Sequence, residues 1–248
     1  PGEDNILICP PTYGMYAISA ETCDVGIKRV PLNDDFSLDV DGICATENVN
    51  LVFICAPNNP TGTQVSKADL TAVLEHFADT ALVVVDEAYI EFDIKSTWAT
   101  QLAAYPNLVV LRTLSKAFAL AGLRCGFTIA SEAIIQSLLK VIAPYPIPEP
   151  VAQIVAQALT AENIARMQQQ VAFLNEQRTT LQAELAKLPG VALVGDVKAT
   201  GCRNSYIRAV DGQISVSGLE RALVVKSGDD VFVRTMALAE RAVGPAGR

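Results

Sequence analysis

Residues 81–89 read ALVVVDEAY. The apolar run from Ala81 to Val85 shows no alternation and ends abruptly in Asp86, Glu87 and Tyr89. A strand with one wet face alternates apolar and polar residues; a strand with no wet face does not. The run therefore predicts a strand buried on both sides, in the middle of a largely parallel sheet covered by helices. Ligands of such sheets bind beyond the carboxyl ends of the strands. The polar residues after Val85 are thus expected at a ligand.

Working outward, the same pattern recurs in NILIC (5–9), LVFIC (51–55), NLVVL (107–111) and GFTIA (126–130). Helical spacing appears between strands in KADLTAVLEHFAD (67–79) and at EAIIQSLLKVIA (132–143). Strands alternating with helices predict an α/β fold with a mostly parallel, doubly wound sheet. The proline-rich APYPIPEP (143–150) breaks the pattern. A long helix is expected from about Val151 to Leu188, bent or interrupted around Thr160. VALVGDV, NSYIRAV, a short helix near SVSGLERA and ALVVKSGDDVFVRTM then predict a smaller α/β unit, followed by a loose tail. The expected division is a large domain over residues 1–147 and a connecting helix with a small domain over 148–248.

Half of the 248 residues are hydrophobic, enough for a sizeable core. The formal charge of −8 argues against nucleic acid and anionic membranes as main partners. The cysteines at 9, 23, 44, 55, 125 and 202 are scattered, without ligand-like spacing. They are expected to be reduced core thiols of a cytoplasmic protein. His76 is the single histidine, which excludes a histidine-rich metal site. No apolar run has the length to span a bilayer, and the start, PGEDNILICPP, does not resemble a signal peptide. That start reads as an entry into the middle of a domain.

The strand ends carry the chemistry. PPTYG follows the first strand, APNNPTG the second, DEAY the third and RTLSK the fourth. Asparagine, aspartate, tyrosines, serine and lysine are thereby delivered to one rim. The set suits pyridoxal phosphate. Its aldehyde needs an amine, its ring nitrogen stays protonated beside a carboxylate, and its phenolic oxygen takes hydrogen bonds from an amide and a tyrosine. Its phosphate needs hydroxyls and an arginine. Each residue also has an ordinary reading. Asp86 is a good helix N-cap, Asn58-Asn59-Pro60 suits a turn, Tyr13 suits a half-buried surface, and Ser115-Lys116 and Arg124 suit solvent. A nucleotide-binding site on the same type of sheet lacks its glycine-rich signature.

The motifs S-K-x7-R-x-G, D-E-A-Y and N-N-P-T-G resemble those of the fold-type-I pyridoxal-phosphate aminotransferases. The longer strings CPPTYGMY, PNNPTG, DEAYIEF, RTLSKAFALAGLRCGF and KVIAPYP are similar to the histidinol-phosphate aminotransferase family within that group. The resemblance implies that Lys116 binds the cofactor aldehyde and shuttles the substrate's α-proton, with its amine desolvated for the task. It also implies that Asp86 pairs with the ring nitrogen, Asn59 and Tyr89 bond the ring oxygen, and Tyr13 stacks on the ring. Ser115 and Arg124 hold the cofactor phosphate, and Arg234 in VFVRTM binds the substrate's anionic group. The implied reaction moves an amino group between L-histidinol phosphate and 2-oxoglutarate, in a homodimer, for histidine biosynthesis.

Three features depart from the family. The start is expected to lie after a segment that in the family contributes to the phosphate site and to the partner subunit, IPEP stands where a hydroxyl residue is usual, and the C-terminal part reads as diverged. Rival readings are a related aromatic aminotransferase, a phospho-amino-acid decarboxylase, or a non-enzymatic fragment of the fold.

Overall fold

The structure is a computed structural model that describes residues 3–187 and, beyond them, the strands at 191–193, 205–209, 222–227 and 230–235. The first strands and helices are β1 (Asn5–Ile8), α1 (Met15–Thr22), β2 (Gly26–Arg29), α2 (Val40–Cys44), β3 (Leu51–Cys55) and α3 (Lys67–His76). They are followed by β4 (Leu82–Asp86), β5 (Leu108–Thr113), β6 (Gly126–Ala130) and α4 (Glu132–Leu139). These strands form one six-stranded sheet in the order β2-β1-β3-β4-β5-β6. Its β1, β2, β3, β4 and β5 pair in parallel, and β6 pairs antiparallel with β5.

The unbroken apolar runs are buried on both faces because successive side chains point to opposite sides. Leu7, Val52, Ile54, Val83, Val85, Leu108 and Val110 pack on one face with Ile43 of α2 and Leu70, Val73 and Leu74 of α3. Ile6, Ile8 and Cys55 pack on the other with Tyr16 and Ala20 of α1. Burying each large aliphatic side chain contributes about 1.5–3 kcal/mol. Helix α3 starts where Ser66 accepts a hydrogen bond from Asp69 N at 3.0 Å.

Helices α1 and α2 had no counterpart in the sequence expectation, and two strands differ from it. Strand β2, Gly-Ile-Lys-Arg, was not expected, because an edge strand with exposed ends needs only backbone pairing to β1 and no apolar run. Strand β6 was grouped with the parallel strands and runs antiparallel. The segment between β5 and β6 contains only a short turn of 3-10 helix, so it folds back instead of crossing over.

The expected break at Thr160 is present. Helix α5 (Glu149–Ala158) ends at Leu159, and Thr160 caps α6 (Ala161–Leu185), accepting from Asn163 N at 3.4 Å. Helix α6 anchors the strand-end loops through Met167 and Val171, which pack with Ala117, Phe92 and Phe118. Asn175 Nδ2 also donates to Phe92 O at 3.1 Å. Strands β7 (Val191–Leu193), β8 (Ser205–Ala209), β9 (Ala222–Ser227) and β10 (Asp230–Thr235) form a second sheet in the order β7-β8-β10-β9. The expected short helix near residue 215 and the tail lie outside the described residues. No helix among the described residues is long and apolar enough to cross a membrane.

Candidate active site

The register of the sheet builds the site. Cys55 pairs with Asp86 and Asp86 with Leu111, so three adjacent parallel strands end side by side. Beyond them lies a cavity of about 270 Å³. Tyr13, Asn59, Asp86, Tyr89, Ser115, Lys116 and Arg124 all line it, together with Arg112, Thr113, Cys55, Ala88 and Leu111. The seven sequence-predicted residues of the large sheet are thus brought to one place. The eighth, Arg234, lies on β10, where its backbone pairs with Leu223; its side chain lies outside the described residues.

Two loops are locked together to deliver Tyr13 and Asn59. Asn58 Nδ2 donates to Pro11 O at 2.9 Å and to Thr61 Oγ1 at 2.8 Å, and its Oδ1 accepts from Thr12 Oγ1 at 2.9 Å. Gly62 closes the turn with a φ of 75°, a left-handed conformation that glycine takes without penalty. The two asparagines therefore divide the work. Asn58 is buried and ties the loops; Asn59 lines the cavity.

The fold-back between β5 and β6 explains the spacing of Lys116 and Arg124. Leu114 N donates to Cys125 O at 3.1 Å, Leu120 N to Leu114 O at 3.0 Å, and Ala119 N to Lys116 O at 2.9 Å. Thr113 pairs with Gly126 across the strands. A Cβ at residue 126 would stand 2.8 Å from Arg112 O, so glycine permits this close approach. Arg124 ends the turn in the left-handed region at φ 51°, with Nη1 donating to Ala121 O at 2.9 Å. Ser115 is held through Thr113, whose Oγ1 lies 2.9 Å from Ser115 Oγ and accepts from Ser115 N at 3.1 Å. Lys116 Nζ lies 5.1 Å from the centre of the Tyr89 ring, within cation–π range. Lys116 itself is exposed.

Two adjacent carboxylates have opposite surroundings. Glu87 is fully buried and engaged by Arg112, with Nη2 at 2.9 Å. It also accepts from Thr97 Oγ1 at 2.9 Å and from Trp98 N at 2.5 Å. Asp86 faces the cavity. Its Oδ2 accepts from Tyr16 Oη at 2.6 Å and its Oδ1 from Ala88 N at 3.0 Å. Burial pushes the Asp86 carboxyl above the usual carboxylate range, opposed by those two hydrogen bonds and by the charge of Lys116. The cavity therefore offers a carboxylate to a cation, a hydroxyl and a guanidinium to an anion, and an amine.

Tyr16, Arg112 and Thr113 were not singled out in the sequence; Glu87 was expected at the ligand with Asp86 and is instead buried against Arg112, and Cys55 was expected only as a core thiol. Each lies within or beside a quoted motif, but nothing in one sequence says which of them meets which. The cysteines Cys9, Cys55 and Cys125 are buried free thiols, as expected, whereas Cys44 is only half-buried and Cys23 is exposed; Cys202 lies outside the described residues. Cys9 and Cys55 are pushed up to about 12 by burial and are inert at neutral pH.

Comparison with known proteins agrees with this geometry. The chain is 66% identical over 200 residues to the histidinol-phosphate aminotransferase of Pseudoalteromonas atlantica, covering 80% of this chain and 54% of that protein. It is 53% identical over 225 residues to the histidinol-phosphate aminotransferase of Aeromonas hydrophila, covering 90% of this chain and 62% of that protein. The chain thus spans little more than half the length of these curated relatives. The structure of histidinol-phosphate aminotransferase from Sinorhizobium meliloti in complex with pyridoxal-5'-phosphate superposes with a TM-score of 0.71 at 21% identity. That match covers 85% of this chain and 56% of the other, and it shows a shared fold, that of the fold-type-I transferases. The family described as aminotransferase class I and II matches residues 1–207. With that match over most of its length and the strand-end residues gathered at one cavity, this chain belongs to the class I and II aminotransferases.

Proposed function

We propose that this chain is the cofactor-binding part of a pyridoxal-phosphate-dependent histidinol-phosphate aminotransferase. It would exchange an amino group between L-histidinol phosphate and 2-oxoglutarate in cytoplasmic histidine biosynthesis, working as a homodimer. The observation that carries the reading is the single cavity lined by Lys116, Asp86, Asn59, Tyr89, Tyr13, Ser115 and Arg124. The names and high identity of the curated relatives support the substrate.

The cofactor fits the residues present. Asp86 is held by neutral donors and has no arginine or lysine in hydrogen-bonded contact among the described residues, so its charge is available to a protonated ring nitrogen. Arg124 and Ser115 would take the phosphate, Asn59 and Tyr89 the ring oxygen, and Tyr13 the ring face. When bound, pyridoxal phosphate supplies an aldehyde that captures the substrate amine and a protonated ring that draws electrons from the α-carbon. The chain's own part is to bind, orient and move a proton. Lys116 Nζ is the residue in the cavity suited to accept the α-proton and return it. The Tyr89 ring lies beneath that amine, 5.1 Å away at its centre. Arg234 would bind the substrate's anionic group. The division into residues 1–147 and 148–248 assigns the cofactor to the first part.

The test is the visible absorption spectrum of the protein with pyridoxal phosphate, followed by borohydride reduction and peptide mapping. A reduced adduct on Lys116, lost in Lys116→Ala, is expected. An adduct elsewhere, or one retained in the variant, overturns the assignment. Amino transfer from L-histidinol phosphate that fails with the unphosphorylated analogue supports the substrate. Release of carbon dioxide instead would identify a decarboxylase.

A further inference from the structure

Tyr16 was read in the sequence only as part of a motif, and its ring has an ordinary role. It is buried, stacks on Phe53 with centroids 4.9 Å apart, and meets Tyr13 edge-on at 5.5 Å. A phenylalanine would do all of that. What only tyrosine adds is a hydroxyl, which donates to Asp86 Oδ2 at 2.6 Å and also meets the Cys55 thiol. A buried hydroxyl without a partner is costly, so this donor and acceptor are committed to each other.

We propose that Tyr16 is a positioning residue for Asp86, holding the carboxylate ionised and aimed into the cavity without neutralising it. This rests on the reading of the cavity as a pyridoxal-phosphate site.

The neighbouring residue supplies the contrast. Glu87, besides accepting from Thr97 and Trp98, is paired with a guanidinium, which cancels its charge as it orients it. A phenol orients Asp86 and supports its negative charge while leaving that charge whole for a cationic ligand. The two oxygens are occupied evenly, Oδ2 by Tyr16 and Oδ1 by Ala88 N, which leaves the carboxylate's remaining lone pairs for the cavity. The groups facing Asp86 come from several elements. They are Tyr16 of α1, Cys55 of β3, the Ala88 amide after β4, and Lys116 after β5. Burial pushes both the Tyr16 phenol and the Cys55 thiol above their ordinary values, so each stays protonated and Lys116 is the one cation of the set.

The experiment compares Tyr16→Phe with the unaltered chain. It uses two ligands: pyridoxal phosphate and its deaza analogue, with a carbon in place of the ring nitrogen. Phenylalanine keeps the ring contacts, so the variant is expected to fold. Its affinity for pyridoxal phosphate is expected to fall about tenfold, the scale of one lost hydrogen bond to a charged group. Its affinity for the deaza analogue is expected to stay unchanged or rise. In the same variant without ligand, the Asp86 carboxyl, followed by carbon NMR, is expected to titrate at higher pH. Equal weakening of both ligands makes Tyr16 a packing residue only and overturns the proposal, as does an unshifted Asp86 titration or an unchanged affinity for pyridoxal phosphate. If the unaltered protein binds neither ligand, the cofactor reading falls and this inference falls with it.

Discussion

Arg112→Met and Glu87→Gln break the same ion pair from opposite sides, and the structure predicts unequal costs. The side chain of Glu87 is 0% exposed and that of Arg112 is 16% exposed. Removing the arginine leaves a carboxylate sealed in the protein with, among the described residues, Thr97 Oγ1 and Trp98 N as its donors. Breaking a buried pair so that a charge stays behind costs about 3–5 kcal/mol. Removing the glutamate's charge leaves a guanidinium at the cavity wall, reached by water and still 2.6 Å from Thr97 Oγ1. The expected cost is about 1.5–3 kcal/mol, that of hydrogen bonds to a charged group. The double variant strands no charge and is expected to be more stable than Arg112→Met alone, a coupling of about 1–3 kcal/mol. The assay is urea unfolding without ligand, followed by fluorescence. Trp98 is the single tryptophan and is 5% exposed, and its amide donates to Glu87, so the probe sits on the network being cut. If Glu87→Gln costs more than Arg112→Met, or if both stay within about 0.5 kcal/mol of the unaltered chain, the reasoning from burial is wrong.

Asp86→Asn is expected to raise the stability of the ligand-free chain while weakening pyridoxal phosphate binding. The folded state holds the Asp86 carboxyl above its ordinary value, so stability is lost as pH rises through that range, and the asparagine avoids the loss. The stabilisation should therefore be present at neutral pH and vanish in acid, where Asp86 is protonated in both states; thermal melts across pH check this, and a gap that widens in acid would contradict it. Gly126→Ala brings a Cβ to 2.8 Å from Arg112 O, a backbone atom that moves only if β5 and β6 spread. A cost of about 1–3 kcal/mol in urea unfolding is expected, together with weaker cofactor binding because the same fold-back carries Lys116 and Arg124. Unchanged stability would show that the strands accommodate the methyl.

The parts of the fold legible in the sequence were those where one principle acts alone. Apolar runs without alternation place β1, β3, β4 and β5 because a strand covered on both sides has no polar side to show. The break at Thr160 was legible because a capping residue interrupts helical spacing. Strand β2 was not, since Gly26–Arg29 carries no apolar signal and owes its place to pairing with β1. The direction of β6 was not, since its run resembles the parallel ones and only the missing crossover reverses it. In the site, Lys116, Asp86, Asn59, Tyr89 and Arg124 stood at strand ends in recognisable motifs, and the structure gathers them at one cavity. Tyr16 and Arg112 were hidden, because their partners lie 70 and 25 residues away in sequence and are met only through packing.

Asp86 and Glu87 show most clearly why that second kind of information matters. Both are carboxylates, adjacent, at the end of the same buried strand, and either could have served a cation. The alternation of the strand sends them to opposite sides. On one side Arg112, Thr97 and Trp98 saturate Glu87. On the other, Tyr16 and Ala88 steady Asp86 and leave it charged and open to the cavity. One residue's charge is spent on holding the loop that follows β4. The other's is kept at some cost to the ligand-free fold, because burial works against it. That cost makes sense if a cation arrives to offset it. The stability gained by Asp86→Asn and the cofactor affinity lost by Tyr16→Phe are thus two measurements of one arrangement, and both should depend on the charge of the same carboxylate.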